Sequence, residues 1–247
     1  MPSLPVRCAA LLVLPLLAAC AATPESGDET AASDYDRFES MNRAIYRFND
    51  SVDSVTTEPL AKGYRKVTPQ FVRRGISNFF DNLVTPRSAL ANFLQGQAGQ
   101  GFNEAGRFFF NSTLGLGGLI DIAELGGMPT YEEDFSQTFA AWGLPDGPYL
   151  MLPFLGPSTV LDAIAMPLDY VTDLRRHIPD AGTRDRLLVL SIIDTRYRLL
   201  AADALLEDAN DPYITLREAF RQNREYEIYD GDPPAQDEYF EFDEDEF

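Results

Sequence analysis

The chain has 247 residues, 45% hydrophobic and 12% aromatic, enough to bury a core in one large domain or two small ones and too apolar for wholesale disorder. Its formal charge of -19, from 39 acidic and 20 basic residues, excludes the basic footprint that a nucleic-acid binder needs. One His (His177), one Trp (Trp142) and two Cys (Cys8 and Cys20) exclude zinc sites, disulfide frameworks and most His-dependent catalysis.

Residues 1–19 read as a signal peptide. Arg7 precedes an apolar stretch, Ala9 to Ala19, that is too short to span a bilayer. It ends in Leu17-Ala18-Ala19-Cys20, which resembles the lipobox of bacterial lipoproteins. That resemblance implies cleavage before Cys20 and acylation of its thiol, and more than one acyl chain makes an anchor stable. Cys8 leaves with the signal, so no disulfide is expected. Residues 20–36 are polar and acidic and read as a flexible tether. The absence of Asp after Cys20 (Ala21 and Ala22 follow) points, by the same resemblance, to the outer membrane of a Gram-negative bacterium.

The body, residues 37–229, reads as helices. Phe38, Met41, Ile45, Phe48, Val52 and Val55 make an apolar stripe that Pro59 is expected to end. Thr68-Pro69 and Thr85-Pro86 each read as a helix start, the first leading into Phe71, Ile76, Phe79 and Phe80. Asn103 to Asn111 continues the pattern, Ser158 or Thr159 caps a helix, Asp185 to Leu206 is the longest candidate, and Asp211-Pro212 opens the last. No stretch alternates with a period of two, so strands are minor and the fold class is mostly α. Phe at helical spacing reads first as core; an interfacial belt including Trp142 is the alternative.

Two segments invite a function. Leu114, Gly115, Leu116, Gly117, Gly118, Leu119, Ile120, Gly126 and Gly127 are apolar yet glycine-rich. Interior Gly weakens a helix, and a water-exposed loop would not carry so much Leu and Ile. A buried or membrane-contacting hairpin with mobile hinges fits, the alternative being close packing inside an ordinary core. Lys62, Arg65, Lys66, Arg73 and Arg74 cluster near Tyr64 and Phe71, as contacts for lipid phosphates or as charge balance on an acidic surface. No nucleophile elbow, zinc helix or phosphate loop occurs, so no catalytic residue, metal ligand or cofactor is expected. Residues 230–247 close the chain with an acidic tail expected to be disordered; Glu225 to Phe247 holds 11 acidic residues and no basic one.

Several blocks occur in one order: Phe38-Glu39-Ser40-Met41-Asn42-Arg43-Ala44-Ile45-Tyr46-Arg47-Phe48-Asn49, Arg107-Phe108-Phe109-Phe110-Asn111-Ser112-Thr113-Leu114-Gly115-Leu116-Gly117-Gly118, Gly147-Pro148-Tyr149-Leu150-Met151-Leu152-Pro153-Phe154, and Asp211-Pro212-Tyr213-Ile214 with Arg217-Glu218-Ala219. From Phe38 to Tyr229 the chain resembles the MlaA/VacJ family of outer-membrane lipoproteins. The resemblance implies a ring-like assembly of short amphipathic helices, partly embedded in the periplasmic leaflet, with the glycine-rich hairpin lining or gating a lumen. It implies removal of misplaced phospholipids from the outer leaflet and their delivery to a periplasmic carrier protein, beside trimeric porins, without enzymatic chemistry. A structural porin-associated lipoprotein and a phospholipid hydrolase are the alternatives.

Overall fold

The computed structural model describes residues 35–233. The expected signal peptide, Cys20, nearly all of the expected tether and the chain from residue 234 lie outside the described residues. Ten α-helices and one two-stranded hairpin build the described part, and no helix in it is long and apolar enough to cross a membrane.

Helix α1, Glu39–Val55, follows the apolar stripe. It ends at Thr56, and Pro59 lies inside the next helix, α2, Thr57–Val67. Pro59 is the third residue of that helix, in the first turn, where its missing N–H costs nothing. A larger departure from expectation is α3, Gln70–Leu94, which runs through Thr85-Pro86 without a break. Pro86 has no N–H to give to the carbonyl of Asn82, and the Thr85 hydroxyl instead ties back to the carbonyl of Asp81 at 3.1 Å. A three-residue turn with Gly96 at φ +82° leads into α4, Ala98–Thr113. These two helices form the most extensive pair in the fold, and Gly101 makes it possible: a β-carbon there would lie 2.8 Å from the Phe93 ring.

After the glycine-rich segment come α5, Ile122–Leu125, and α6, Phe135–Ala141, whose Asp134 closes a capping box with Gln137. Strands β1, Tyr149–Leu152, and β2, Gly156–Thr159, pair antiparallel, with Tyr149 opposite Thr159. Thr159 then caps α7, Val160–Thr172, through a box with Asp162. A 3-10 turn at Leu174–His177 leads to α8, Ala181–Leu199. The helical stretch expected over Asp185 to Leu206 is thus two helices, α8 and the short α9, Asp203–Glu207. The last helix, α10, Pro212–Ile228, starts where Asp211 accepts hydrogen bonds from the N–H groups of Tyr213 and Ile214.

Three of the blocks read in the sequence meet in one small core. Tyr149, Met151 and Tyr213 are its buried members, with Ile45, Tyr46 and Phe220 packed against them. Asn42 pins α1 to the hairpin by donating to the Tyr149 carbonyl at 3.1 Å and accepting from the Met151 N–H at 2.9 Å. Tyr35 and Asp36, at the end of the expected tether, belong to this body. Asp36 is buried and takes hydrogen bonds from Asn42 at 2.8 Å, Tyr213 at 2.5 Å and Arg217 at 3.1 Å.

Candidate functional site

The interior of this chain is polar and much of its apolar surface faces outward. Among the described residues the buried set holds twelve hydrophobic side chains and eighteen polar or charged ones. Outside stand Val55, Leu60, Val67, Phe71, Phe102, Phe109, Leu125 and Phe154, all more than half exposed. Phe at helical spacing is therefore mostly not core: only Phe80 and Phe135 are buried, whereas seven Phe are exposed. Trp142 is exposed too, its indole N–H donating to the Leu94 carbonyl at 3.0 Å. Exposed apolar surface of this kind marks contact with a partner protein or a membrane.

The polar interior opens into a cavity of about 100 Å³ between α3 and α4, closed on a third side by residues 121–132. Helix α3 contributes Asn78, Asp81, Asn82, Thr85 and Ser88, and α4 contributes Glu104, Arg107 and Asn111. Both sets fall at spacings of three and four, so each is one stripe of a helix. Each polar stripe is legible in the sequence, but the apolar stripe beside it on the same helix carries the stronger periodic signal.

Arg107 organises the α4 wall. It reaches Asp121 at 2.7 Å and Glu104 at 3.9 Å, and donates to the Met128 carbonyl at 2.5 Å. Burial raises the Glu104 pKa, while the Tyr131 N–H and the Arg107 charge act against that shift. Asp81 is also raised by burial, opposed by Arg198 at 2.8 Å, which in turn holds Asp194 at 3.1 Å. Among the described residues no group of His, Cys, Asp and Glu has the arrangement of a metal site.

The glycine-rich segment lies next to this cavity without lining it: Leu114–Ile120, Gly126 and Gly127 are absent from the lining, which Asn111 and Asp121 reach on either side of the segment. Asn111 fastens the segment: its amide donates to Asp121 at 2.9 Å, its side-chain oxygen accepts from the Ala123 N–H at 2.9 Å, and its carbonyl accepts from the Gly118 N–H at 2.8 Å. The glycines serve two purposes. Gly115 and Gly118 make room, since a β-carbon on Gly115 would lie 2.2 Å from the Ile120 carbonyl oxygen. Gly117 and Gly127, both at φ +75° with open space around them, supply the left-handed backbone. Leu116 adopts φ +56° without being glycine, a strained position. Leu114, Leu116, Leu119 and Ile120 are exposed, so the segment is not ordinary core.

The basic cluster divides. Lys62 pairs with Glu58, and Arg65, Lys66 and Arg74 are exposed. Arg73 is held in the fold: it donates to the carbonyls of Arg65 and Thr68 and lies over the Tyr197 ring at 4.9 Å. His177 is exposed, with Nδ1 3.2 Å from the Asp173 carbonyl in its own 3-10 turn.

A family profile described as MlaA lipoprotein matches residues 34–227 of this chain. The chain is 34% identical over 226 residues to the intermembrane phospholipid transport system lipoprotein MlaA of Escherichia coli strain K12, covering 90% of this chain and 88% of that one. It is 30% identical over 201 residues to the protein of the same description from Haemophilus influenzae, covering 79% and 80%. Among solved structures, one described as the structural basis for maintenance of bacterial outer membrane lipid asymmetry superposes with a TM-score of 0.69 at 34% identity. That match covers 78% of this chain and 98% of the other.

Proposed function

The chain belongs to the MlaA lipoprotein family, and from that premise we propose that it serves intermembrane phospholipid transport and so maintains the lipid asymmetry of an outer membrane. The observation that carries this is the polar cavity between α3 and α4 inside a body that presents many large apolar side chains outward. A phospholipid crossing hydrocarbon alone must strip water from a charged headgroup, at a cost of several kcal/mol. A protein seated in one leaflet lowers that cost by giving the headgroup polar walls while the acyl chains stay outside among Phe and Leu. Short amphipathic helices lie in a leaflet without spanning it. This task needs binding and passage, not bond cleavage.

In this reading Cys20 carries the acyl anchor, and the membrane is the outer membrane seen from the periplasm. Lipid leaves the outer leaflet through the ring-like body and passes to a periplasmic carrier protein, beside trimeric porins. Leu114–Ile120, with Gly126 and Gly127, is the moving segment beside the cavity. Lys62, Arg65, Lys66 and Arg74 meet lipid phosphates at the rim, supported by their exposure and by Val67 and Phe71 beside them.

The test is a deletion strain complemented with wild type or with Arg107→Met. Outer-leaflet phospholipid should rise and detergent tolerance fall in the deletion, wild type should restore both, and Arg107→Met should restore neither. Unchanged outer-leaflet phospholipid in the deletion would favour a purely structural lipoprotein, and fatty acid released by the purified protein would favour a hydrolase.

A further inference from the structure

Helix α7, Val160–Thr172, turns its charges inward. Asp162 and Asp169 are its charged side chains; Asp162 pairs with the buried Arg224 at 3.0 Å, and Asp169 with Arg87 at 3.3 Å. Leu161 and Ala165 are buried against the body as well. The outward face is apolar throughout. Ile164, Leu168 and Val171, four and three residues apart, form one exposed stripe with Pro167 inside it. Ile164 is 61% exposed and Val171 63%, so no described element covers the stripe.

The chemistry changes abruptly where the stripe ends. The 3-10 turn Leu174–His177 places Arg175, Arg176 and His177 in succession. Arg175 is engaged by Asp173, at 2.9 Å through Nε and 2.7 Å through Nη2. Arg176 pairs with no carboxylate among the described residues, and its guanidinium carbon lies 3.9 Å over the centre of the Tyr170 ring. Tyr170 is exposed and stands beside Val171, so the ring holds this cation at the end of the apolar stripe. Stacking uses the face of a guanidinium and leaves the N–H donors at its edge open, the geometry that takes a phosphate through two parallel hydrogen bonds.

We propose that this turn binds the phosphate of a phospholipid headgroup, with Arg176 as the donor, Tyr170 as its support and the outer face of α7 lying among the acyl chains. The proposal rests on the reading of a body seated in one leaflet, and it adds a headgroup site on an element separate from α2 and α3. Apolar stripe, tyrosine and arginine follow one another in the order of polarity that a leaflet presents from its interior to its surface. An acidic peptide would satisfy the cation and leave the stripe in water. An apolar protein groove would cover the stripe and bury the cation unpaired. A bilayer surface meets both needs.

The experiment uses the complete chain in its Cys20→Ala form, which removes the anchor, and measures binding to vesicles of phosphatidylcholine alone or mixed with phosphatidylglycerol. Arg176→Gln should weaken binding to the mixed vesicles about fivefold, the scale of one cation at an anionic surface, at unchanged melting temperature. Arg176→Lys restores the charge without the planar fork and should recover only part of the loss. Ile164→Ser with Val171→Ser should weaken binding to both kinds of vesicle. Inorganic phosphate should displace the protein no better than chloride at equal ionic strength. Unchanged binding of Arg176→Gln, full recovery in Arg176→Lys, or stronger displacement by inorganic phosphate would overturn the headgroup site. Full binding by the Ile164 and Val171 pair would take α7 out of the bilayer and overturn it too, as would a Cys20→Ala protein that binds neither vesicle. Each of these leaves transport standing, because that reading is decided by outer-leaflet phospholipid in the deletion strain.

Discussion

Gly118 presses its bare Cα against the side chain of Asn82: a β-carbon on Gly118 would lie 2.7 Å from the β-carbon of Asn82. This contact seats the glycine-rich segment on helix α3, and Asn82 holds its own place by donating to the Ser112 hydroxyl at 3.0 Å. Gly118→Ala should therefore displace Asn82 and cost about 1–3 kcal/mol of overpacking, besides about 1 kcal/mol for a side chain at φ +97°. Gly117→Ala has open space around it and should cost about 1 kcal/mol, from its backbone angle alone. Melting temperatures of the two single variants check this; equal losses would show that the Asn82 contact carries no weight.

Arg107 is the second support of the cavity. Its side chain is nearly sealed from solvent, as is that of Glu104. Arg107→Met keeps an unbranched apolar stem, shorter than that of Arg, but leaves Glu104 and Asp121 without their cation. Losing one partner of a buried pair costs about 3–5 kcal/mol. A fall in denaturant midpoint of that size is expected, and Glu104→Gln in the same chain should recover part of it. A double variant no better than Arg107→Met would mean that the stranded Glu104 charge is not the cause.

The two halves of this site differed in how far the sequence disclosed them. Thr159, Asp211 and the apolar run of α1 behave as local chemistry requires, because caps and helix stripes act over three or four residues. Pro86 misleads for the opposite reason. Tertiary packing of α3 against α4 overrides the local preference to stop, and no neighbouring residue announces that. The lipobox and the four family blocks are legible one by one, yet only the fold brings Asn42, Tyr149 and Tyr213 into a single cluster. The cavity is of this second kind. Glu104 and Arg107 lie on one helix face and can be paired on paper, whereas Asp81 and Glu132 meet only through the path of the chain. The Phe residues read as core in the sequence because helical spacing shows that a face is apolar without saying what it faces.

Glu133 gives the fold a pH dependence. It is buried, accepts a hydrogen bond from Gln95 at 2.7 Å, and burial pushes its carboxyl up to about 7 from an ordinary 4.5. The folded chain therefore holds this proton more tightly than the unfolded chain. Its contribution to stability is fully present below about pH 4.5 and is lost as the pH rises through about 7. Glu133→Gln should be more stable than wild type at pH 8, with the advantage shrinking toward pH 4.5. Asp169, which burial raises to about 6 against the opposing charge of Arg87, should leave some slope in both proteins. A difference in melting temperature that does not change with pH would contradict the assignment.

Removal of the proposed signal would leave Cys20 as the sole thiol, so Cys20→Ala should abolish acylation outright. The expected protein is unprocessed or recovered away from the membrane fraction. Normal cleavage with retained acyl chains, read by mass spectrometry of the N-terminal peptide, would refute the anchor.

The rim around α2 should bind membranes even without that anchor. Val67 is 79% exposed and Phe71 76%, and Lys66 and Arg74 flank them on the same exposed stretch. Apolar side chains standing in water beside long cationic ones suit the boundary of a bilayer, where the former enter the acyl region and the latter reach the phosphates. The two contributions respond differently to salt. Lys66→Glu with Arg74→Glu should weaken binding to anionic vesicles by about 1 kcal/mol or more per removed cation, an effect that fades as the Debye length shrinks. Val67→Ser with Phe71→Ser should weaken binding at every salt concentration, since burial of apolar surface does not depend on screening. Both pairs should leave the melting temperature of the Cys20→Ala protein in solution unchanged, because the side chains removed make little contact with the body. The measurement is vesicle co-sedimentation of each pair in the Cys20→Ala background at low and high salt. A drop in melting temperature for the Val67 and Phe71 pair would place these residues in the core of the folded protein. Salt-independent loss for the Lys66 and Arg74 pair would remove the phosphate contacts from the rim.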